Sequence, residues 1–449
     1  MRLVAIASLL ACLLLWSFGC QRSALPRASD QSAAVEYGAL PAVRTSHHRE
    51  LRREIARLDE EHATPIQLEL AQASTGSPSL DQRGGRWARV LKPKQWLKLQ
   101  RRLTKLFPGG NINLSLLQTR NAQEFADENE PHRRDIRQML LEYPATPRVP
   151  HNEGLLTDLS FIDVARVYLR WEQTHAARLF VEDQRADVVQ AFAGMFEMVE
   201  RLAHAGHLVP RLAAVQLRHE TWTLLQETID AGRFRRPNYE AMQRITDAQL
   251  TAWPSDSEVW IADRAQALHT YEMIRDGYLP SILTQGEINR FRDTGVMDQL
   301  LAVAERIDGD QYYYLQTMRR IISDCKLPYR ERSKELQRIY EEQRQLQSEP
   351  DFPAIAVHLF LAELKQAQRE LALDRALCEA WQLGFSMVLD PVRDTQRLNS
   401  MTGEPFVVVL DDGAISIWGA GENGDRPVMI PRLPDENTSR AMRPRMRQR

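Results

Sequence analysis

The sequence lacks the short words by which common catalytic sites announce themselves. No HExxH, GxSxG or GxxxxGK[ST] occurs in its 449 residues. A helix-borne zinc, a nucleophile elbow and a phosphate-cradling loop are therefore not signalled. The glycine-rich stretch GAGENGD at 419–425 follows an apolar run but leads into Arg426-Pro427 rather than a helix, so it is not a dinucleotide fingerprint. Cysteine is scarce, with four residues at Cys12, Cys20, Cys325 and Cys378, and none sits in a CxxC or Cys/His spacing suited to zinc. An excess of one charge is missing too. The formal net charge is −2, whereas a nucleic-acid binder presents a basic face. Neither a nucleic-acid partner nor a cofactor is expected. Beyond residue 19 there is no long apolar run, and a spanning helix needs about 20 such residues.

What is present begins at the amino terminus. Arg2 precedes an uncharged run from Leu3 to Gly19, followed by Cys20, Gln21 and Arg22. A charged start, an apolar middle and small residues near the exit are the layout of a secretory signal. The stretch resembles a bacterial lipoprotein signal, which implies that residues 1–19 are removed and that Cys20 is lipidated. Ser17 stands where that pattern usually has Leu, and an uncleaved anchor is the alternative. Either way the expectation is an exported protein, held at the cell envelope on the periplasmic or outer face. Acyl chains contribute about 0.8 kcal/mol per buried CH₂, so several on one cysteine hold a protein at a bilayer.

Residues 20–85 have the small, polar and proline-rich character of a tether, with one charged helix around Leu51, Ile55 and Leu58. From 86 to 385 the spacing predicts helix after helix. Residues 86–107 carry eight Arg and Lys and no acid, with Trp96, Leu99, Leu103 and Leu106 forming a stripe behind Pro93. Such a helix belongs either to a bundle, with its charges in water, or on an anionic membrane surface. Capping boxes are expected at Ser160–Asp163, Ser255–Glu258 and Thr284–Glu287. Val188, Phe192, Met195, Phe196, Val199 and Leu202 recur at three and four, as do Leu212, Val215, Trp222, Leu225 and Ile229. Breaks fall at Gly and Pro every 15 to 25 residues or so, and no 34-residue repeat is visible. The fold class expected is mainly α, an antiparallel helical bundle or an irregular TPR-like helical array, with a small C-terminal β-hairpin.

That hairpin lies within 386–434. Phe406–Leu410 and Ala414–Trp418 are apolar runs flanking Asp411, Asp412 and Gly413, and Asp412-Gly413 supplies the turn. The words Asp390-Pro391, Thr402-Gly403-Glu404-Pro405-Phe406, DDGAISIW and GAGENGD resemble the tail of the type II secretion major pseudopilins. They resemble even more the tails of large helical proteins of unknown function exported by some bacteria. The resemblance covers roughly the last 60 residues. In pseudopilins the corresponding turn region can hold calcium, which here would fall to Asp411, Asp412, Glu422, Asn423 and Asp425. Hard oxygen ligands in number are what calcium needs, and several of the family's acids are missing, so a plain structural turn is the favoured expectation. Residues 435–449 are expected to be a basic, disordered tail.

Few other candidates remain. Cys325 and Cys378 are either a disulfide or two separate buried thiols. His204 and His207 sit at a helix end without a third metal ligand nearby in sequence. Asp158, Asp163, Glu172 and Glu182 are capping or surface acids before they are a catalytic pair. The expectation is a non-catalytic envelope scaffold that binds another envelope protein. The alternatives are an envelope hydrolase with a site assembled from scattered residues, or an accessory part of a secretion-type assembly.

Overall fold

The computed structural model describes residues 93–107, 112–142, 153–232, 234–390, 397–411, 413–419 and 427–432, with positions 49, 53, 54, 57, 87 and 90. The signal and Cys20, most of the tether, the ligand candidates Asp412, Glu422, Asn423 and Asp425, and the basic tail lie outside the described residues.

The described chain is mainly helical, with a small three-stranded antiparallel sheet at its end. Helix α1 (Pro93–Leu106) and the short α2 (Leu114–Leu117) lead into α3 (Arg120–Glu142). Then come α4 (Phe161–Val181), α5 (Arg185–Ala203), α6 (Leu208–Asp230) and α7 (Arg236–Thr251). Next are α8 (Asp256–Arg275), α9 (Leu279–Ile282), α10 (Gln285–Asp293) and α11 (Val296–Ala304). The last helices are α12 (Ile307–Asp324), α13 (Tyr329–Leu346) and α14 (Leu364–Leu389), followed by β1 (Val407–Leu410), β2 (Ala414–Trp418) and β3 (Val428–Pro431). Among these helices α4 packs on α5 and α5 on α6, as short connections require, and α3 packs on α4 across a longer connection.

The helix starts behave unequally. Thr284 closes the full expected box, its hydroxyl accepting from Glu287 N–H while the Glu287 carboxylate accepts from Thr284 N–H. Ser255 caps α8 by accepting from Ser257 N–H, without the reciprocal bond from Glu258. Ser160 does not cap at all. It already has helical dihedrals, and its own N–H donates to Asp158, so the local turn takes the donor that the box would have offered to Asp163.

Two hydrophobic cores form. In the first, the stripe Val188, Phe192, Met195, Phe196, Val199 and Leu202 is fully buried. Its aromatic ladder runs from Phe196 to Trp222 (4.5 Å), from Trp222 to Trp381 (5.1 Å, stacked) and from Trp381 to Phe385 (5.4 Å). In the second, Tyr271, Tyr314 and Phe360 meet at 5.2–5.7 Å. Asp310 on α12 ties this core to a π-helical turn at Ala356–Phe360, accepting from Ile355 N–H, Ala356 N–H and Tyr271 Oη. Burial pushes the Asp310 carboxyl up to about 7, against the pull of those three donors. Helices α6 and α14 belong to both cores: Leu217 and Leu225, with Trp381 and Phe385, serve the first, and Val215, with Leu371 and Ala372, serves the second.

Helix α1 settles on the bundle reading. Leu99, Leu103 and Leu106 pack against the first core, and Arg102 pairs with Glu128 of α3. The apolar stripe is spent on the protein and is not available to a bilayer; the Trp96 side chain lies outside the described residues. Among the described residues no helix is long and apolar enough to cross a membrane.

The hairpin forms, its second strand with the expected bounds and its first starting at Val407 rather than Phe406, with Leu410 opposite Ile415 and Asp411 N–H donating to Ala414 C=O. It gains a strand the spacing did not announce, because Pro427 and Pro431 frame Val428–Ile430. β3 is an edge strand, where proline is tolerated. Ile415, Ile417, Val428 and Ile430 bury one face into the first core against α14. Ser416, on the opposite face, is 5% exposed. Gly384 of α14 lets the sheet approach: a Cβ there would stand 2.5 Å from Ile430 Cδ1 and 3.2 Å from Ile417 Cδ1.

Gly384→Ala is therefore expected to cost about 1–3 kcal/mol by overpacking this joint, measured by urea denaturation. A change within 0.5 kcal/mol, roughly the scatter of substitutions away from packed sites, would contradict the packing described.

Candidate functional site

Two features stand out, one inside and one outside. The inner one is a knot of charge where the two cores meet. Arg218 of α6, with no exposed side-chain surface, donates to Asp374 of α14 and, at 2.7 Å, to Glu200 of α5. The sequence separation of Arg218 and Asp374 is 156 residues. Glu200 also faces His204 Nε2 at 3.4 Å. One turn and more before Arg218 lies Arg211, equally buried. Both guanidiniums lie over the indole of Trp253, with carbon-to-centroid distances of 4.8 Å for Arg211 and 4.6 Å for Arg218. Such contacts stabilise a desolvated cation by about 2 kcal/mol.

Burial sets the electrostatics. It pushes the Asp374 carboxyl above its ordinary range, with Arg218 and Arg211 pulling it back. It works against the charge on Arg218, but Asp374 and Glu200 more than offset it, and the Arg218 pKa is raised. For Arg211 burial wins and the pKa is lowered, since Asp374, Asp256 and Glu200 attract it without bonding it. Two charges taken out of water recover their desolvation cost only with close geometry and satisfied hydrogen bonds. Arg218 has that arrangement on two of its nitrogens.

The residues singled out from sequence occupy other roles. His204 is the C-cap of α5, and His207 is the N-cap of α6, its Nδ1 accepting from Val209 N–H at 3.1 Å. They therefore end one helix and begin the next rather than sharing one end. Cys325 and Cys378 are free thiols, not a disulfide. Cys325 is the C-cap of α12, donating to Ile321 C=O, and burial pushes it up to about 12. Cys378 is fully buried in α14 beside Gln249, and burial raises its pKa as well. Neither has the lowered pKa of a nucleophilic thiol. Glu172, expected as a surface or capping acid, is fully buried, accepting from Arg133, Arg137 and Tyr168 Oη. Asp163 is close to buried beside Arg166, and burial lifts it to about 6. Of the calcium candidates only Asp411 is described, as an exposed turn residue. Among the described residues no group of three His, Cys, Asp or Glu could hold a metal ion.

The outer feature is the free face of the sheet. Val407 pairs with Trp418, Val409 with Ser416, and Ser416 with Met429. These residues share the face opposite the core. Val407 is 62% exposed, Val409 40%, Trp418 42% and Met429 45%. The two edges differ. On β3, Gln226 of α6 accepts from Met429 N–H and donates to its carbonyl, covering that edge. β1 has β2 on one side and, among the described residues, no strand on the other.

The turn at 399–404, which leads into the TGEP word, holds this sheet in place. Asn399, 2% exposed, donates to Gly419 C=O at the end of β2 and accepts from Met401 N–H. Gly403 takes φ +76° and approaches Pro328, a backbone state in which a side chain is strained. Ser400 donates through both its N–H and its hydroxyl to Glu379 of α14. The carbonyls of Ser400 and Met401 accept from Tyr329 and Arg330 N–H and so cap α13. TGEP closes this turn, with Gly403 N–H donating to Asn399 C=O and Asn399 N–H to Glu404 C=O.

No family model, curated protein or solved structure matches the chain.

Asp374→Asn is expected to destabilise the protein by about 3–5 kcal/mol, the cost of removing one partner from a buried ion pair. Urea denaturation measures it, and a loss below about 1 kcal/mol, the ceiling for an exposed pair, would contradict the buried pairing.

Proposed function

We propose that the protein is an envelope-tethered, non-catalytic helical scaffold that binds another envelope protein through the outer face of its C-terminal sheet. The observation that carries this reading is the apolar row Val407, Val409, Trp418 and Met429 beside the β1 edge, which no strand pairs among the described residues. An exposed strand edge recruits a partner strand through main-chain hydrogen bonds, with alternate side chains adding specificity. Natural sheets blunt unused edges with charge, proline or a bulge, and β1 is Val-Val-Val-Leu. The sheet is also rigidly placed, because Gly384, Asn399 and Glu379 pin it to α14 and α13. Support for the tether comes from the lipoprotein-like start with Cys20. The pseudopilin-like tail supports a secretion-type assembly as the setting. For the alternative envelope hydrolase, the described ionisable cluster offers little, since Asp374, Glu200 and Glu172 are each occupied by arginine.

The test joins both halves of the reading. Mass spectrometry of the mature N-terminus is expected to show diacylglyceryl-modified Cys20 in the membrane fraction. A photo-crosslinking residue at Val409 is expected to give one discrete adduct in cells. That adduct should disappear when Trp418→Asp and Val407→Glu are added, with the melting temperature unchanged. An intact Met1 in the soluble fraction contradicts the tether. An adduct pattern at Val409 equal to that from exposed Arg338 on α13 contradicts the docking face.

A further inference from the structure

The knot between the cores has more donors than acceptors. The Nε, Nη1 and Nη2 atoms of Arg211 are buried, and among the described residues none has a hydrogen-bond partner. The same holds for Arg218 Nε, Trp253 Nε1 and Gln249 Nε2. These atoms form one neighbourhood. Arg211 and Arg218 lie over the Trp253 indole. Gln249 holds Cys378 through its other amide atom at 3.6 Å, and Cys378 senses the Arg218 charge.

The nearby carboxylates are committed elsewhere. Asp374 takes Arg218, Glu200 is shared by Arg218 and His204, and Asp256 takes Arg332 at 2.9 Å. The Glu200 Oε2 atom is taken up by His204 Nε2, 3.4 Å away. Buried charges in proteins are paired as a rule, and a guanidinium presents five N–H donors in a fork that fits an anion. A group left with three orphan nitrogens in a sealed interior therefore points to an acceptor supplied from solution.

We propose that Arg211, with Trp253, Gln249 and Arg218 Nε, forms a binding site for a small inorganic anion that carries acceptors only, such as chloride, bromide or sulfate. The orphan atoms are all donors, so a ligand with its own protons would leave some of them facing a donor. Arg211 has no accessible surface, so an occupant of only a few atoms could enter, and only as neighbouring side chains shift. Bound there, the anion would join α6 to the α7–α8 connection at Trp253, next to the Arg218 pairs, and so add to the joint between the two cores. The site is independent of the docking face proposed above.

The probe is the anion itself. The full protein is melted at constant ionic strength in sodium gluconate, whose bulky anion does not fit, with chloride, bromide or sulfate titrated in. The wild type is expected to show a saturable rise in melting temperature of roughly 2–4 °C. Arg211→Met is expected to lose that response while melting at or above the wild-type temperature in gluconate, because it removes the unpaired charge. If Arg211→Met does not fold, Arg211→Lys is expected to shift the half-saturating concentration by tenfold or more. A bromide-soaked crystal of the wild type is expected to show an anomalous peak within hydrogen-bond reach of the Arg211 guanidinium. Melting temperatures indifferent to the anion, with no bromide peak at Arg211, would assign the donors to water and overturn the proposal. So would an Arg211→Met protein that responds as the wild type does.

Discussion

The fold turns on Arg218. It is a cation with no access to water, placed where two hydrophobic cores touch, and its partners come from two helices and a connection: Glu200 on α5, Asp374 on α14, and the Trp253 ring just beyond α7. A buried arginine either finds such partners or forbids the structure. Its presence therefore fixes the angular position of α6 and α14 relative to each other, which apolar packing alone leaves adjustable. Because those two helices also supply side chains to both cores, the charge knot acts as the register mark between them.

The C-terminal sheet depends on that arrangement at one remove. Its buried face needs α14 as a floor, and Gly384 lets Ile417 and Ile430 come close to the helix. The turn at 399–404 adds directional bonds. Glu379 receives Ser400, Asn399 joins Met401 to Gly419, and two carbonyls cap α13. An isolated small sheet would be marginal in water, and here helix contacts and a buried asparagine hold it. Its outward row of Val407, Val409, Trp418 and Met429 is thus presented by a fixed support, which is the property a docking face requires.

Much of this was legible in the residues. The mainly helical class, the stripe on α5, the cap at Thr284 and the hairpin around Asp412-Gly413 follow from period, capping chemistry and turn chemistry, which are local. What was not legible is tertiary convergence. Nothing in the spacing distinguishes Arg211 and Arg218 from the exposed arginines around them, and Asp374 lies 156 positions from Arg218. The available hint was that both arginines fall within the apolar run of α6, where a charge must be paired or functional. Glu172 was read as a surface acid for the same reason, although it lies inside a helix with Tyr168 four residues before it. The strand β3 was hidden by its prolines, which read as breaks when the edge position is unknown. Cys325 and Cys378 offered no way to choose between a disulfide and two thiols until their helices were placed.

If α6 and α14 truly join the cores through Arg218, neither core can open alone. Native-state hydrogen exchange, followed by mass spectrometry over a urea series, measures this directly. Amides of α5 in the first core and of α12 in the second are expected to reach the same opening free energy and the same urea slope, marking one cooperative unit. A lower free energy and smaller slope for α12, with α5 still protected, would show that the second core unfolds by itself and that the charge knot does not bind the two together.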